Sequence, residues 1–337
     1  MRAAVYHGGE RGIAIEHLAD PYAQPGELLI EVGFCGVCGS DVAMTSGSAF
    51  DYPAGRCFGH EYAGTVVEIG AGVSGWRLGE RVACRPKTAC GACDLCREGH
   101  LLLCPGGAHL SKGFAQFVAV PVEAAVRLPQ SLSLADGALI EPMACGLRAF
   151  RAAALRPGDR VLVLGAGALA LSAIWWARRL GAAKVVVAAR SDHRRDICHD
   201  FGADAFVSLS DDDPDVIAAS LGGAPHVVAE CVGKPGMIAK AVEQVRPGGT
   251  ILSLGMCMAP EPILPIGLTF KEARLIFPLG YSEAEFEETA RAFDQAGFRP
   301  EQMVSDVFPL EAVGEVIARL RAGAALRKVH IDPRIAA

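Results

Sequence analysis

The chain lacks several features at once, and each gap removes a class of function. It has no lysine- or arginine-rich run and carries a formal charge of -6, so it offers no electrostatic footprint for nucleic acid. No segment supplies the ~18 uninterrupted apolar residues that a membrane helix needs. The opening Met1-Arg-Ala-Ala-Val-Tyr-His has neither the apolar core nor the cleavage site of a secretory signal. Internal repeats are missing too. These gaps predict a cytoplasmic protein with no nucleic-acid partner and no membrane partner. What is present is 51% hydrophobic and 21% charged residues over 337 positions, enough for substantial cores and best divided into two domains.

Twelve cysteines would suggest disulfides in an exported protein. Here they crowd partly into short clusters of a long chain, and in a reducing compartment such clusters more often bind metal.

The patterning changes near residue 156. Before it, short strand-like runs at residues 28–33, 62–70, 81–84 and 115–120 are separated by glycine and proline, which predicts a barrel-like all-β unit. After it, apolar strands at 160–164, 184–188, 205–208, 226–230 and 250–254 alternate with helical segments at 168–180, 192–201 and 236–245. That alternation implies a parallel sheet with helices on both faces. Beyond residue 282 follow an acidic amphipathic helix, a second helix at 310–321 and a final strand at 328–331. Pattern alone leaves open whether this tail pairs back into the first domain. The Asp211-Asp212-Asp213 run reads as a solvated loop.

Three motifs carry chemistry. In Cys90-Gly-Ala-Cys93-Asp-Leu-Cys96-Arg-Glu-Gly-His-Leu-Leu-Leu-Cys104, four thiolates can wrap one tetrahedral zinc and leave no position for water, which makes a structural site. The alternative is a chance cluster of surface thiols. Second, Cys35-Gly-Val-Cys38-Gly-Ser40-Asp41 followed by Gly59-His60-Glu61 offers a thiolate, an imidazole and a carboxylate, a mixed set that keeps a zinc position open. Taken alone, the Cys-x-x-Cys pair could be redox-active and the His-Glu pair a surface feature. Third, a predicted strand runs into Gly165-Ala166-Gly167-Ala168-Leu169-Ala170 and then into a helix. Glycines there let the backbone approach a pyrophosphate at the helix N-terminus.

In this order the motifs resemble the zinc-containing medium-chain alcohol dehydrogenase family, over nearly the whole chain. Gly59-His-Glu-Tyr-Ala-Gly-Thr, Gly202-Ala-Asp, Glu230-Cys231 and Arg246-Pro-Gly-Gly add to the likeness. Ile140-Glu141-Pro142 resembles the sorbitol and threonine dehydrogenase branch. The resemblance implies an α/β fold with a GroES-like β-barrel catalytic domain over residues 1–150, completed by about 283–337. A Rossmann doubly wound parallel-sheet domain over 151–282 would bind the dinucleotide, with the active site in the cleft. It implies that Cys38 and His60 bind a catalytic zinc with Glu61 or Glu141 as the carboxylate, and that Cys90, Cys93, Cys96 and Cys104 bind the structural one. Asp41 would fix the His60 tautomer, and Ser40 would bond the substrate oxygen and pass its proton outward. The implied reaction moves a hydride between a nicotinamide cofactor and a secondary alcohol, polyol or matching ketone, in a homodimer or homotetramer.

Two departures stand out. The family often has a histidine two residues after the aspartate; this chain has Ala43, so the proton relay must take another route. At the end of the second dinucleotide-domain strand an NAD enzyme carries an acidic residue. Here Ala189 stands at that place, followed by Arg190, with Arg194 a helical turn on. A guanidinium in place of a carboxylate suits a 2′-phosphate and predicts NADP, preferred by about tenfold or more, with a charge-assisted hydrogen bond of roughly 1.5–3 kcal/mol behind it. The alternative is NAD, with Arg190, Arg194 and Arg195 as a solvated face. Gly165, Gly167, Ala168, Leu169 and Cys231 complete the expected cofactor site.

Other residues read as packing: Trp175 and Trp176, and Cys145, Cys198, Cys231 and Cys257 as small buried hydrophobes. Phe50, Tyr52, Phe277 and Tyr281 are either pocket lining or core. Competing readings are a zinc-independent reductase of activated double bonds and a non-catalytic nucleotide-binding protein. The intact Cys38, His60 and Glu61 count against both.

Overall fold

The computed structural model describes all residues except Ala49, residues 209–213 and Ala337. The Asp211–Asp213 run therefore lies outside the described residues. The chain divides into two compact units, one of Met1–Glu141 with Tyr281–Ala337 and one of Pro142–Gly280.

The first unit contains strands β1 (Arg2–Gly8), β2 (Gly12–His17), β3 (Glu27–Val37), β4 (Arg56–Cys57), β5 (Glu61–Ile69), β6 (Arg81–Cys84), β7 (Phe117–Pro121) and β8 (Ala125–Arg127). Its central strand is β3, a long run in which Leu28, Ile30, Val32, Cys35 and Val37 are buried. It pairs antiparallel with β5 and β7. The second unit holds β9 (Arg160–Leu164), β10 (Lys184–Ala189), β11 (Ala205–Ser208), β12 (Val227–Glu230), β13 (Thr250–Ser253) and β14 (Arg274–Ile276). Among the described residues these form one parallel sheet in the order β11-β10-β9-β12-β13-β14. Val161 to Leu164 and Val185 to Ala188 have no measurable exposure, as expected for strands covered on both faces.

The helix Ala168–Arg179 presses Ala170 to Ala177 into the core of this unit. Trp176 donates its indole N–H to the Met143 carbonyl at 2.7 Å and meets Trp175 edge-on at 4.6 Å, so both tryptophans pack. The segment expected to be helical from 192 is helical only over Arg195–Asp200. The preceding Ser191, Asp192 and His193 are exposed and bond locally instead, Ser191 to His193 and Asp192 to Arg195. Such side-chain bonds compete with a first helical turn. Of the four cysteines expected to be buried, only Cys198 is; Cys145, Cys231 and Cys257 are half-buried.

The tail returns to the first unit. Ser282 caps the helix Glu283–Ala296, its hydroxyl accepting from the Glu285 N–H while the Glu285 carboxylate accepts from the Ser282 N–H, a reciprocal cap. Strands β15 (Val304–Pro309) and β16 (Lys328–Asp332) follow. β16 runs parallel to β15 and antiparallel to β3. The tail therefore does pair back, next to the strand that leads into Cys38.

Candidate metal and dinucleotide sites

Cys38 directly follows β3 and caps the short helix Gly39–Ala43. Its backbone N–H donates to Asp41 Oδ2 at 3.0 Å. The Arg321 guanidinium reaches from the C-terminal region to the carbonyls of Val42 at 3.0 Å and Thr45 at 2.8 Å, anchoring this helix. Asp41 is fully buried and faces His60 Nδ1 across 3.3 Å. Burial works against the charged Asp41, but the His60 ring and the hydrogen bonds outweigh it and hold its pKa below the usual value. Burial likewise opposes charge on His60, and Asp41 and Cys38 overcome it, raising the ring's pKa well above 6.5. With Nδ1 held by Asp41, Nε2 is the nitrogen turned toward Ser40, whose Oγ stands 3.4 Å away. A ligating histidine commonly has this carboxylate behind it.

Ligand atoms of Cys38, His60 and Glu61 lie within 4.8 Å of one another. Glu141 falls outside that group. It is near enough for His60 and Glu61 to act on it electrostatically, and burial first, then Glu61, push its pKa up to about 7. Tyr281, itself buried, hydrogen-bonds the Glu141 side chain.

In the sequence Lys328 reads only as the first residue of the final strand, with no mark of a role at this site. This lysine on β16 is 3% exposed, and its ammonium forms an ion pair with the fully buried Glu61 while donating to the Val37 carbonyl at 3.0 Å. Gly36 explains how the pair fits. A Cβ there would lie 2.1 Å from Glu61 Oε2 and 2.9 Å from Lys328 Cε, so only glycine leaves room. Tyr52, noted only as a pocket or core aromatic, donates its hydroxyl to Asp41 Oδ1 at 3.0 Å. Phe50 and Phe277 are 66% and 62% exposed and are not core.

The second cluster is built locally. Sγ atoms of Cys90 and Cys96 are 3.8 Å apart, those of Cys93 and Cys96 3.4 Å, and those of Cys93 and Cys104 3.8 Å. Zinc–sulfur bonds of about 2.3 Å in a tetrahedron place sulfurs about 3.8 Å apart, so these donors fit zinc. The Cys90 N–H donates to Cys104 Sγ at 3.3 Å, and this bond leads the effects that lower the Cys104 thiol to about 6. Lys87 closes the lobe through the carbonyls of Leu102 at 2.6 Å and Cys104 at 2.7 Å.

On the second unit, Gly165 turns the chain after β9 with φ of 106°, and Gly167 caps the helix of Ala168 and Leu169. Ala189, at the end of β10, is buried and Arg190 is exposed. Arg194 Nη1 donates to the Ala166 carbonyl at 3.2 Å, so it bears on the glycine turn. Arg195 turns away, donating to the Phe206 carbonyl at 2.9 Å and covering that ring. Cys231 follows β12.

A closed four-sulfur set and an open thiolate–imidazole–carboxylate set on one unit, with a glycine turn leading from a buried parallel strand on the other, define a zinc-binding oxidoreductase. Comparison with known proteins agrees. Residues 24–130 match the alcohol dehydrogenase GroES-like domain and residues 168–295 the zinc-binding dehydrogenase family. The (R,R)-butanediol dehydrogenase of Bacillus subtilis (strain 168) is 32% identical over 300 residues, 84% of this chain and 85% of that protein. The sorbitol dehydrogenase of the same organism is 31% identical, covering 80% and 78%. Among solved structures, a zinc-binding dehydrogenase from Sinorhizobium meliloti 1021 bound to NADP superposes with a TM-score of 0.90 at 29% identity, covering 99% of each chain. The chain belongs to the zinc-containing medium-chain alcohol dehydrogenase family, in its sorbitol dehydrogenase-like branch.

Proposed function

We propose that this protein transfers a hydride between NADP(H) and a secondary alcohol, polyol or the matching ketone. The observation that carries the reading is the open set of Cys38, His60 and Glu61 with Asp41 behind the imidazole. Zinc bound by these residues would supply Lewis acidity toward the substrate oxygen. Asp41 holds the Nδ1 proton of His60, and so fixes which ring nitrogen faces the metal position. Ser40, beside that nitrogen, is placed to hold the proton of the substrate hydroxyl. Glu141, buried and with its pKa near 7, stands as the second carboxylate, able to ligate in place of Glu61 when Lys328 engages it. Cys90, Cys93, Cys96 and Cys104 hold the structural zinc.

NADP is favoured by the exposed Arg190 next to Ala189, and by Arg194 on the glycine turn. The similar Sinorhizobium protein was solved with NADP bound. Gly165, Gly167, Ala168, Leu169 and Cys231 frame the rest of the cofactor site. We further propose a homodimer or homotetramer assembled through β14, an edge of the parallel sheet beside the exposed Leu264, Phe270 and Phe277. Unpaired strand edges next to apolar surface invite such pairing. The free ligand thiols suit a reducing, cytoplasmic setting.

Oxidation of NADPH and, in parallel, NADH against aliphatic, cyclic, aromatic and sugar ketones tests the reading. Turnover with NADPH about tenfold or more above NADH is expected. Equal or better turnover with NADH overturns the NADP assignment and leaves the zinc chemistry standing. No turnover with either, in protein shown to be zinc-loaded, overturns the substrate class.

A further inference from the structure

The carboxyl ends of β9, β12 and β13 carry turns packed without slack. A Cβ on Gly165 would stand 3.0 Å from Val232 Cγ2, and one on Gly233, where φ is 68°, would stand 2.6 Å from the Met256 nitrogen. One on Gly255 would lie 2.1 Å from the Gly233 nitrogen. Two turns on neighbouring strands thus touch backbone to backbone.

One residue ties both. Glu230, the last residue of β12, is 1% exposed. Its Oε1 accepts from the Val232 N–H at 2.6 Å and the Gly233 N–H at 2.9 Å. Its own carbonyl accepts from the Leu254 N–H at 2.7 Å and the Gly255 N–H at 2.9 Å. Burying a carboxylate is costly unless hydrogen bonds compensate, and a neutral side chain could also have accepted from the amides. The charge makes these bonds shorter and stronger, which suits a turn that must not move.

The strand order reverses between β9 and β12, and ligands of doubly wound sheets bind outside the carboxyl ends of the strands at that point. On the proposed function, on which this inference rests, the turn after β9 takes the pyrophosphate and the end of β10 the adenosine ribose. The turns after β12 and β13 then fall to the other half of the dinucleotide. We propose that Glu230 is a positioning residue for the nicotinamide half of the cofactor. It fixes the backbone of residues 231–233 against that of 255–256, and these form the seat without Glu230 itself touching the ligand.

Binding titrations separate this role from a general structural one. Zinc-loaded wild-type, Glu230→Gln and Glu230→Ala proteins are titrated with whichever of NADPH and NADH the wild type binds. Each is also titrated with the adenosine half alone, adenosine 2′,5′-bisphosphate for NADPH or ADP for NADH. Glu230→Gln keeps the shape and an acceptor but loses the charge, and about 5-fold weaker dinucleotide binding is expected. Glu230→Ala leaves both amides unpaired, and a loss of about 30-fold or more is expected. The adenosine fragment should bind all three proteins alike. Unchanged dinucleotide affinity in Glu230→Gln, or equal loss of fragment and dinucleotide in either variant, overturns the assignment. If Glu230→Ala fails to fold, the Glu230→Gln pair of titrations decides alone. A wild type that binds neither nucleotide would instead remove the proposed function, an outcome distinct from any of these.

Discussion

The four-cysteine site and the Cys38–His60–Glu61 site sit on the same unit but are assembled in opposite ways. The first draws every donor from residues 90–104, and even its lysine, Lys87, is a near neighbour. The second takes its candidate donors from Cys38 just after β3 and from His60 and Glu61 where β5 begins, its hydrogen bonds to the imidazole side from Asp41 and Tyr52, and its ammonium from β16. A local site needs little more than its own loop and its metal. A dispersed one inherits its geometry from the whole sheet, so its parts can be tuned separately.

The largest effect should come from removing one ligand from each site. In Cys38→Ser, zinc per chain should fall from two to one and kcat/KM by about 10³-fold or more, since metal polarisation is worth several kcal/mol, while the melting temperature moves little because Asp41 keeps its His60 partner. In Cys93→Ser the zinc count should fall equally, but the melting temperature should drop sharply, because binding free energy at a structural site is folding free energy. Elemental analysis with calorimetry on both variants checks this. Matching stability losses would erase the contrast.

A sharper version concerns the buried ion pair. Lys328→Met strands the Glu61 carboxylate and should cost about 3–5 kcal/mol in denaturant unfolding. Lys328→Met combined with Glu61→Gln should recover much of the loss. A single variant as stable as the wild type would mean that Glu61 has another buried partner.

The smallest effect at neutral pH belongs to His330, on the same face of β16 as Lys328. Its ring is fully buried, and neither nitrogen has a hydrogen-bond partner among the described residues. Burial, then the nearby Lys328, lowers its pKa to about 3. The unfolded chain therefore takes up this proton first. Its contribution to stability is intact above about pH 6.5 and is lost as pH falls toward 3, by about 1.4 kcal/mol per pH unit at most. His330→Leu should flatten that part of the stability–pH curve. An unchanged curve would show that other groups set the acid limit.

How far each site was legible follows from the same contrast. The four cysteines could be read because tetrahedral coordination imposes short, regular spacing on one loop. The alternation of β9 to β13 with helices was equally plain, since strands covered on both faces are apolar throughout. Cys38, His60 and Glu61 stood out by residue type. Lys328 did not, because one lysine in an apolar strand carries no mark of which distant carboxylate it will meet. Gly36 held a usable hint: a glycine inside a long strand often marks a close approach. Tyr52 was visible as an aromatic, but its hydroxyl partner depends on how the loop after Ala43 folds back. The early helix expected from residue 192 failed because local bonding of Ser191 and Asp192 outweighed helical periodicity.

The position of β16 has a consequence in time. Because β16 inserts between β15 and β3, a ribosome has already released the cysteine lobe, β3 and β5 when Lys328 is still unmade. The four cysteines of the lobe can come together on a nascent chain, while Glu61 waits without its counter-ion until β16 has been made. The Glu61–Lys328 pair is thus finished only after β16 has been synthesised, and a chain that stopped before Lys328 would hold the cysteine lobe without that pair.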